Sequence, residues 1–167
     1  MGDIRARWNA DKGSVDWEVV AGALASGGDL ETAVLLSLFT WARAREDDIL
    51  PDGRPARAAA ADRKGWWGNL DGEALHGQRE IGSRLWLLAR ETRSERTRTR
   101  AADYAREALR WLVADNIAAA VHVTAEWQGA GDGGDRLALL VSVIDREGAT
   151  IFDRRYAWAW AELAEAA

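Results

Sequence analysis

The amino-acid sequence predicts an α+β fold: an N-terminal β-hairpin, then about three helices packed on a C-terminal antiparallel three-stranded meander. Three observations predict it. The first residues alternate between apolar and polar side chains, the middle of the chain carries apolar residues at helical spacing, and the last third returns to alternation. Because no repeat or long linker interrupts this order, residues 1–167 are expected to form a single domain.

The N-terminal hairpin is expected over residues 3–20. Two short runs alternate apolar with polar residues around a glycine-bearing turn, and their apolar members are Ile4, Ala6, Trp8, Val15, Trp17 and Val19. This pattern is typical of two strands that share one buried face.

The helical part is expected over residues 29–115. Asp29 stands where an N-cap is needed, and the apolar positions of residues 30–41 lie on almost every side of the first helix, which predicts burial on more than one side. A second helix is expected over 81–88 and a third, clearly amphipathic, over 101–115.

The C-terminal sheet is expected over residues 120–160. Alternating segments at 121–127, 137–143 and 151–160 are separated by glycine-bearing loops, so the three strands are predicted to pair antiparallel in sequence order.

Composition excludes several classes of function. The chain has no cysteine, which removes disulfides, thiolate metal sites and cysteine nucleophiles. A net charge of −5 argues against nucleic acid as a main partner, because binding to phosphates relies on clustered lysine and arginine. We expect no signal peptide and no membrane span, because the longest apolar stretch is far too short.

No catalytic, cofactor-binding or metal-binding residues are predicted, and the chain is expected not to be an enzyme. His76 and His122 are far apart and lack a metal-binding spacing, and the glycine-rich loop at 129–135 lacks the ligand pattern of a calcium loop. Asp47 and Asp48 are adjacent acids, but neighbours at a helix end usually point apart.

Tryptophan occurs ten times, against two tyrosines and two phenylalanines. Tryptophan is rarely buried completely and is enriched at the centres of protein interfaces. Ten such side chains therefore suggest a division between core and interface, and the sequence leaves that division open.

The order of several segments resembles one known family. An apolar helix, a Pro-Asp-Gly turn, the segment Asp62-Arg63-Lys64-Gly65-Trp66-Trp67-Gly68, the segment Ile81-Gly82-Ser83-Arg84-Leu85-Trp86-Leu87-Leu88 and an amphipathic helix follow one another. This order resembles the small baseplate protein family of Mu-like phages and prophages, over nearly the whole chain. Residues 54–61 depart from the expected pattern, being longer and richer in alanine and arginine.

The resemblance implies a structural role without a cofactor. Members of this family are similar to the wedge and sheath-initiator proteins of contractile tails. The implied partners are a larger baseplate wedge protein, the tail sheath and the tail tube or hub proteins. About six copies are implied in the virion tail baseplate, assembled in the host cytoplasm. The C-terminal sheet is implied to accept a strand of the sheath at its edge, by main-chain hydrogen bonds.

Candidate interface residues follow from the resemblance and from the last strand. They are Arg63, Gly65, Trp66, Trp67, Gly68, Arg84, Trp86, Phe152, Tyr156, Trp158 and Trp160. The aromatic residues of the last strand fit either an assembly edge or packing over the helices. Two other functions stay open, a carbohydrate-binding module that stacks sugars on exposed tryptophan and a tail-associated cell-wall hydrolase.

Overall fold

The computed structural model describes residues 4–9, 14–20, 23–24, 29–58, 62–66, 69, 80–131 and 134–159. The strands are β1 (Ala6–Asn9), β2 (Ser14–Trp17), β3 (Val19–Val20), β4 (Ala23–Leu24), β5 (Ala120–Gly131), β6 (Gly134–Ile144) and β7 (Thr150–Ala159). The α-helices are α1 (Asp29–Phe39) and α2 (Glu95–Ala114), and a short 3-10 helix spans Leu85–Leu88.

The predicted N-terminal hairpin is confirmed. β1 and β2 pair antiparallel, with Ala6 opposite Trp17 and Asn9 opposite Ser14. The hairpin is fixed to α1 because the Ala6 amide donates a hydrogen bond to the Thr32 hydroxyl. β3 and β4 form a second, very short antiparallel pair that the alternation did not predict as separate.

The prediction of about three helices is wrong, because the described residues hold two α-helices. Residues 81–88, expected to be helical, begin extended and end in the 3-10 helix. Ser83 pairs in parallel with Trp41 instead, and its backbone bonds to Thr40 and Ala42. Gly82 has a φ of +118°, and a Cβ there would lie 2.7 Å from the Ala42 nitrogen, so this close approach needs glycine.

Helix α2 begins earlier than the predicted residue 101. Ser94 has extended backbone angles and accepts a hydrogen bond from the Thr97 amide, which is the geometry of an N-cap. Residues 95–100, which precede the predicted start, are therefore the first part of this helix.

The predicted three-stranded meander is confirmed, with strand order β5-β6-β7 and antiparallel pairing throughout. One face of the sheet packs against the helices, most extensively between β5 and α2. The core joins β1, both α-helices and all three strands. Its fully buried members include Val34, Leu35, Leu38, Leu109, Leu112, Leu137, Leu139, Val141, Val143 and Tyr156.

Candidate protein-interaction surfaces

The stretch that follows α1 is held in place by residues of the two family-like segments. The Trp86 indole donates to the Ala42 carbonyl at 2.9 Å, and the Arg63 guanidinium donates twice to the Ala44 carbonyl, at 3.0 and 2.7 Å. The Ala44 amide in turn donates to the Arg63 carbonyl. The side-chain hydrogen bonds of Arg63 and Trp86 therefore hold residues 40–45 in place.

Arg84 lies at the centre of a buried ion network and is 8% exposed. One of its nitrogens contacts both carboxylate oxygens of Asp48 at 2.9 Å, and another contacts Glu107 of α2. Glu107 also pairs with Arg45, and the Arg84 guanidinium lies 4.5 Å from the centre of the Tyr104 ring. The network ties the stretch after α1 to α2.

The electrostatics of Arg84 follow from this arrangement. Burial alone lowers the pKa of the guanidinium, but its hydrogen bonds to Glu107 and Asp48 outweigh burial and raise the pKa above its usual value. Arg84 is therefore a permanently charged group whose charge is compensated inside the chain.

The contacts of Arg63, Trp86 and Arg84 with the stretch after α1 are together called the clamp. One tryptophan of this clamp region lies at the surface. Trp41 is 45% exposed, and the Lys64 ammonium lies 3.9 Å from the centre of its ring and 5.3 Å from that of Trp86. Gly65 is exposed with a φ of +127°, and Trp66 is half-buried. Trp41 is not among the predicted interface residues, because a residue at the end of an apolar helix is expected to be core.

The structure divides the candidate residues of the first surface. Three of the candidates form the clamp: Arg63, Arg84 and Trp86. The side chains of Arg84 and Trp86 are also buried, so they present little surface to a partner. Gly65 lies near Arg43 and is exposed, and Trp66 is half-buried. Residues 67 and 68, predicted as Trp67 and Gly68 of the interface, lie outside the described residues.

A groove of about 930 Å³ opens between the clamp and α2. Its lining carries both signs of charge: Arg43, Arg45, Arg84, Arg110, Glu80, Glu107 and Asp115. Small-molecule sites are mostly apolar with a few convergent polar groups, whereas the rims of protein interfaces are polar and charged. This groove therefore fits the edge of a protein contact better than a ligand pocket.

The aromatic residues of β7 that the structure describes are core residues. Phe152 and Tyr156 are buried, and Tyr156 packs edge-on against Trp8 and Phe39, at centroid distances of 5.8 and 5.7 Å. Burial, reinforced by the charge of Glu31, raises the pKa of Tyr156. Phe152 and Tyr156, expected at the assembly surface, thus stabilise the fold through their side chains.

The two remaining aromatic candidates lie at the end of β7. Trp158 pairs in register with Leu137, and its side chain falls outside the described part of the chain, as does residue 160, the candidate Trp160. Their predicted interface role stays a prediction.

The backbone of β7 has an outward-facing edge. The Ala125 carbonyl accepts a hydrogen bond from Arg98 and so points away from β6. In an antiparallel sheet, the backbone N–H and C=O groups of successive residues point alternately to the two sides of the strand. Because those of Ala125 point away from β6, those of its partner Leu139 point away from β5 and bond to Tyr156 of β7. Asp153, Arg155 and Ala157 must then direct their N–H and C=O groups outward.

The acidic residues and histidines of the described part of the chain do not gather into a metal site. Within them, no cluster of three or more His, Asp and Glu could hold a metal ion. Asp48, one of the two acids considered for catalysis, uses its carboxylate on Arg84 and on the Arg45 amide. None of the described helices combines the length and apolar character needed to cross a membrane.

The buried charges of this small α+β chain hold its own loops in place, and β7 directs backbone groups outward at one edge of the sheet. An outward-facing edge is a feature by which proteins pair with a strand of another chain. The chain belongs to the phage protein GP46 family, whose family model matches residues 30–150. It is 39% identical over 126 residues to baseplate protein gp46 of Escherichia phage Mu, which covers 75% of this chain and 78% of that protein.

A second relative comes from a bacterial genome. Mu-like prophage FluMu protein gp46 of Haemophilus influenzae is 30% identical over 125 residues, covering 75% of this chain and 76% of that protein. No solved structure shows a significant match. The predicted resemblance to the Mu-like family is therefore confirmed, and most of β7 lies beyond the residues that the family model matches.

Proposed function

We propose that this chain is a structural component of a phage tail baseplate and has no catalytic role. The observation that carries the proposal is the 39% identity to the phage Mu protein named as a baseplate protein, over most of both chains. The ion network around Arg84 supports it, since the carboxylates of Asp48 and Glu107 bind Arg84 and so hold residues 40–48 against α2.

We further propose that the chain is a wedge subunit, present in about six copies beside the larger wedge protein and near the tail tube and hub. It would reside in the virion tail baseplate after assembly in the host cytoplasm. The exposed Trp41, with the Lys64 ammonium over its ring, supports a side-chain contact with a neighbouring subunit, because exposed tryptophans are frequent anchors of interfaces.

The tail sheath is proposed to contact a different part of the molecule, the outer edge of β7. Asp153, Arg155 and Ala157 offer outward backbone groups, and Asp153 and Arg155 are exposed. A sheath strand that paired there would extend the three-stranded sheet to four strands. Because the contact uses the backbone, it does not require Phe152 or Tyr156 to leave the core.

The baseplate role is tested by deleting the gene from the phage or prophage that encodes it and examining the particles by electron microscopy. We expect heads and tail fibres but no complete tails, restored by the wild-type gene in trans, with the chain present in purified baseplates by mass spectrometry. Normal tails in the deletion, or purified baseplates without this chain, would rule the proposal out.

The enzyme alternative is tested on the same purified protein. A tail hydrolase would release soluble fragments from peptidoglycan, and we expect none. Release that is abolished by Asp47→Asn, with folding intact, would replace the structural role by a catalytic one. Asp47 is the informative choice because it is exposed, whereas Asp48 is bound to Arg84.

A further inference from the structure

The C-terminal sheet has two edge strands, β5 and β7, and they differ in exposure. Val123 and Ala125 direct their backbone groups outward from β5, yet they are 3% and 0% exposed. On β7, the outward-facing Asp153 and Arg155 are exposed, and the neighbouring Ile151 is 46% exposed. Val123 and Ala125 are therefore covered, backbone included, whereas the exposure of Asp153, Arg155 and Ile151 includes side chains that point to solvent.

The cover over β5 comes from the start of α2. Arg98 donates from its terminal nitrogen to the Ala125 carbonyl at 2.8 Å, and the same guanidinium is gripped by both carboxylate oxygens of Glu95. Moving this guanidinium away from the sheet would break its hydrogen bond to the Ala125 carbonyl. An incoming strand would have to displace it to reach Ala125.

A second contact closes the same edge two residues further along. The Trp127 indole donates to the Ser94 carbonyl at 3.1 Å, and the Arg93 guanidinium lies 5.7 Å from the centre of the Trp127 ring. Ser94 is the N-cap of α2, so the residues that begin the helix also fasten it to the sheet edge.

The corresponding bond on β7 is local and exposed. In the described part of the chain, the Asp153 carbonyl accepts from Arg154, its own neighbour along the strand. Arg154 lies 3.6 Å from Glu31 and Arg155 lies 3.6 Å from Glu126, with roughly half of each arginine side chain accessible. Exposed pairs of this kind are weak and exchange readily for other carboxylates.

We propose that Arg98 and Trp127 close the β5 edge, so that the sheet accepts an incoming strand at β7 alone, and that this strand carries carboxylates opposite Arg154 and Arg155. The choice of a tail protein as its donor rests on the proposed function; the difference between the edges does not. A second copy is a poor donor, because symmetric pairing centred on Arg154 and Arg155 brings four guanidiniums together.

The test measures backbone amide hydrogen exchange by NMR on the purified full-length chain. In the wild type, the amides of Val123 and Ala125 should exchange at least about tenfold more slowly than those of Asp153 and Arg155. Arg98→Ala should raise exchange at Val123 and Ala125 by about tenfold, because it removes a charge-assisted hydrogen bond from the cover. Arg96→Ala, which changes an exposed arginine on the same helical turn, should leave both amides unchanged.

The variant should also change association. With both edges open, β5 of one Arg98→Ala chain can pair with β7 of another, so its sedimentation should become concentration-dependent while that of Arg96→Ala does not. If Arg98→Ala does not fold, Trp127→Phe replaces it, since this change removes the indole donor and keeps most of the ring.

Two results would overturn the inference. Equal exchange at the two edges of the wild type would show that β5 is not covered, and identical profiles for Arg98→Ala and Arg96→Ala would show that Arg98 does not cover it. Neither result bears on whether the chain enters a baseplate, which the gene deletion tests separately.

Discussion

Arg84 shows that the contacts of a residue inside the fold can support a role that its sequence context does not predict. Its segment carries the family resemblance, which placed it among the interface candidates, yet its guanidinium lies inside the chain between Asp48 and Glu107. Sequence spacing could not predict this, because Asp48 and Glu107 are distant along the chain and only the fold brings them together. Positioning residues 40–48 is the role that its contacts support.

Replacing Arg84 with methionine should lower the free energy of unfolding by about 3 kcal/mol, because it leaves Asp48, whose side chain is 11% exposed, without its compensating charge. The measurement is urea unfolding followed by tryptophan fluorescence. Arg54→Met is the matched control, since Arg54 pairs with Asp52 at the surface, and its unfolding midpoint should not move. Equal losses in the two variants would contradict a structural role for the buried pair.

The tryptophans divide between fold and surface, as their number suggested, although the sequence could not say which is which. Trp86 is buried with its indole bonded to Ala42, whereas Trp41 remains half-exposed beside Lys64. Trp41 follows an apolar stretch and Trp86 lies within one, so both local patterns indicate burial. The difference arises from the Ser83–Trp41 pairing, a long-range contact that no local pattern reports.

Trp86→Ala should therefore cost about 3 kcal/mol or more of folding stability, since it removes a buried ring and a hydrogen bond. Trp66→Ala should leave the thermal unfolding midpoint nearly unchanged and reduce incorporation into baseplates. Thermal unfolding and the amount of chain in purified tails, measured on both variants, give the comparison. A stability loss for Trp66→Ala as large as its loss of incorporation would assign Trp66 to the core instead.

At the scale of elements, period-two alternation predicted the hairpin and all three C-terminal strands. The C-terminal strands bury one face, whereas the expected buried face of the hairpin is only partly buried, since Ile4, Trp17 and Val19 are exposed. Helical periodicity succeeded for α1 and for the body of α2, and failed at 81–88. There an apolar run is buried from all sides, so its composition resembles a helix, while Gly82 and Ser83 commit its backbone to residues 40–42. The N-cap at Ser94 was missed because a basic, threonine-rich stretch follows it.

The N-cap gives a prediction for α2. Ser94→Ala should destabilise the chain by about 1 kcal/mol, because the Thr97 amide loses its acceptor at the helix start. Thr99→Ala, at an exposed position of the same helix, serves as the control and should be neutral or slightly stabilising. Chemical denaturation of both variants tests this, and a neutral Ser94→Ala would mean that the cap contributes little beside the Arg98 and Trp127 contacts.

At the scale of the whole molecule, one core joins the N-terminal hairpin, the helices and the sheet. This supports the prediction that residues 1–167 form one domain, which stays a prediction. The clamp surface around Trp41 belongs to a second buried cluster, which Tyr104 of α2 joins to this core. A neighbouring subunit and a sheath strand can then be bound at fixed positions on one rigid body.

The central claim is that the chain serves in a baseplate by offering the β7 edge to a strand, and Ala157→Pro tests it most directly. Proline removes one outward-facing N–H and places its ring in the path of an incoming strand, while the bonds between β6 and β7 remain. Ala157→Val is the matched control, since it adds bulk and keeps the N–H.

The measurement is the fraction of sheathed tails, counted by electron microscopy after each variant replaces the wild-type gene, with thermal unfolding checked on the purified proteins. The account predicts that both variants fold, that Ala157→Val supports sheathed tails, and that Ala157→Pro yields baseplates to which no sheath is attached. A folded Ala157→Pro chain that supports sheathed tails as well as the wild type would contradict it.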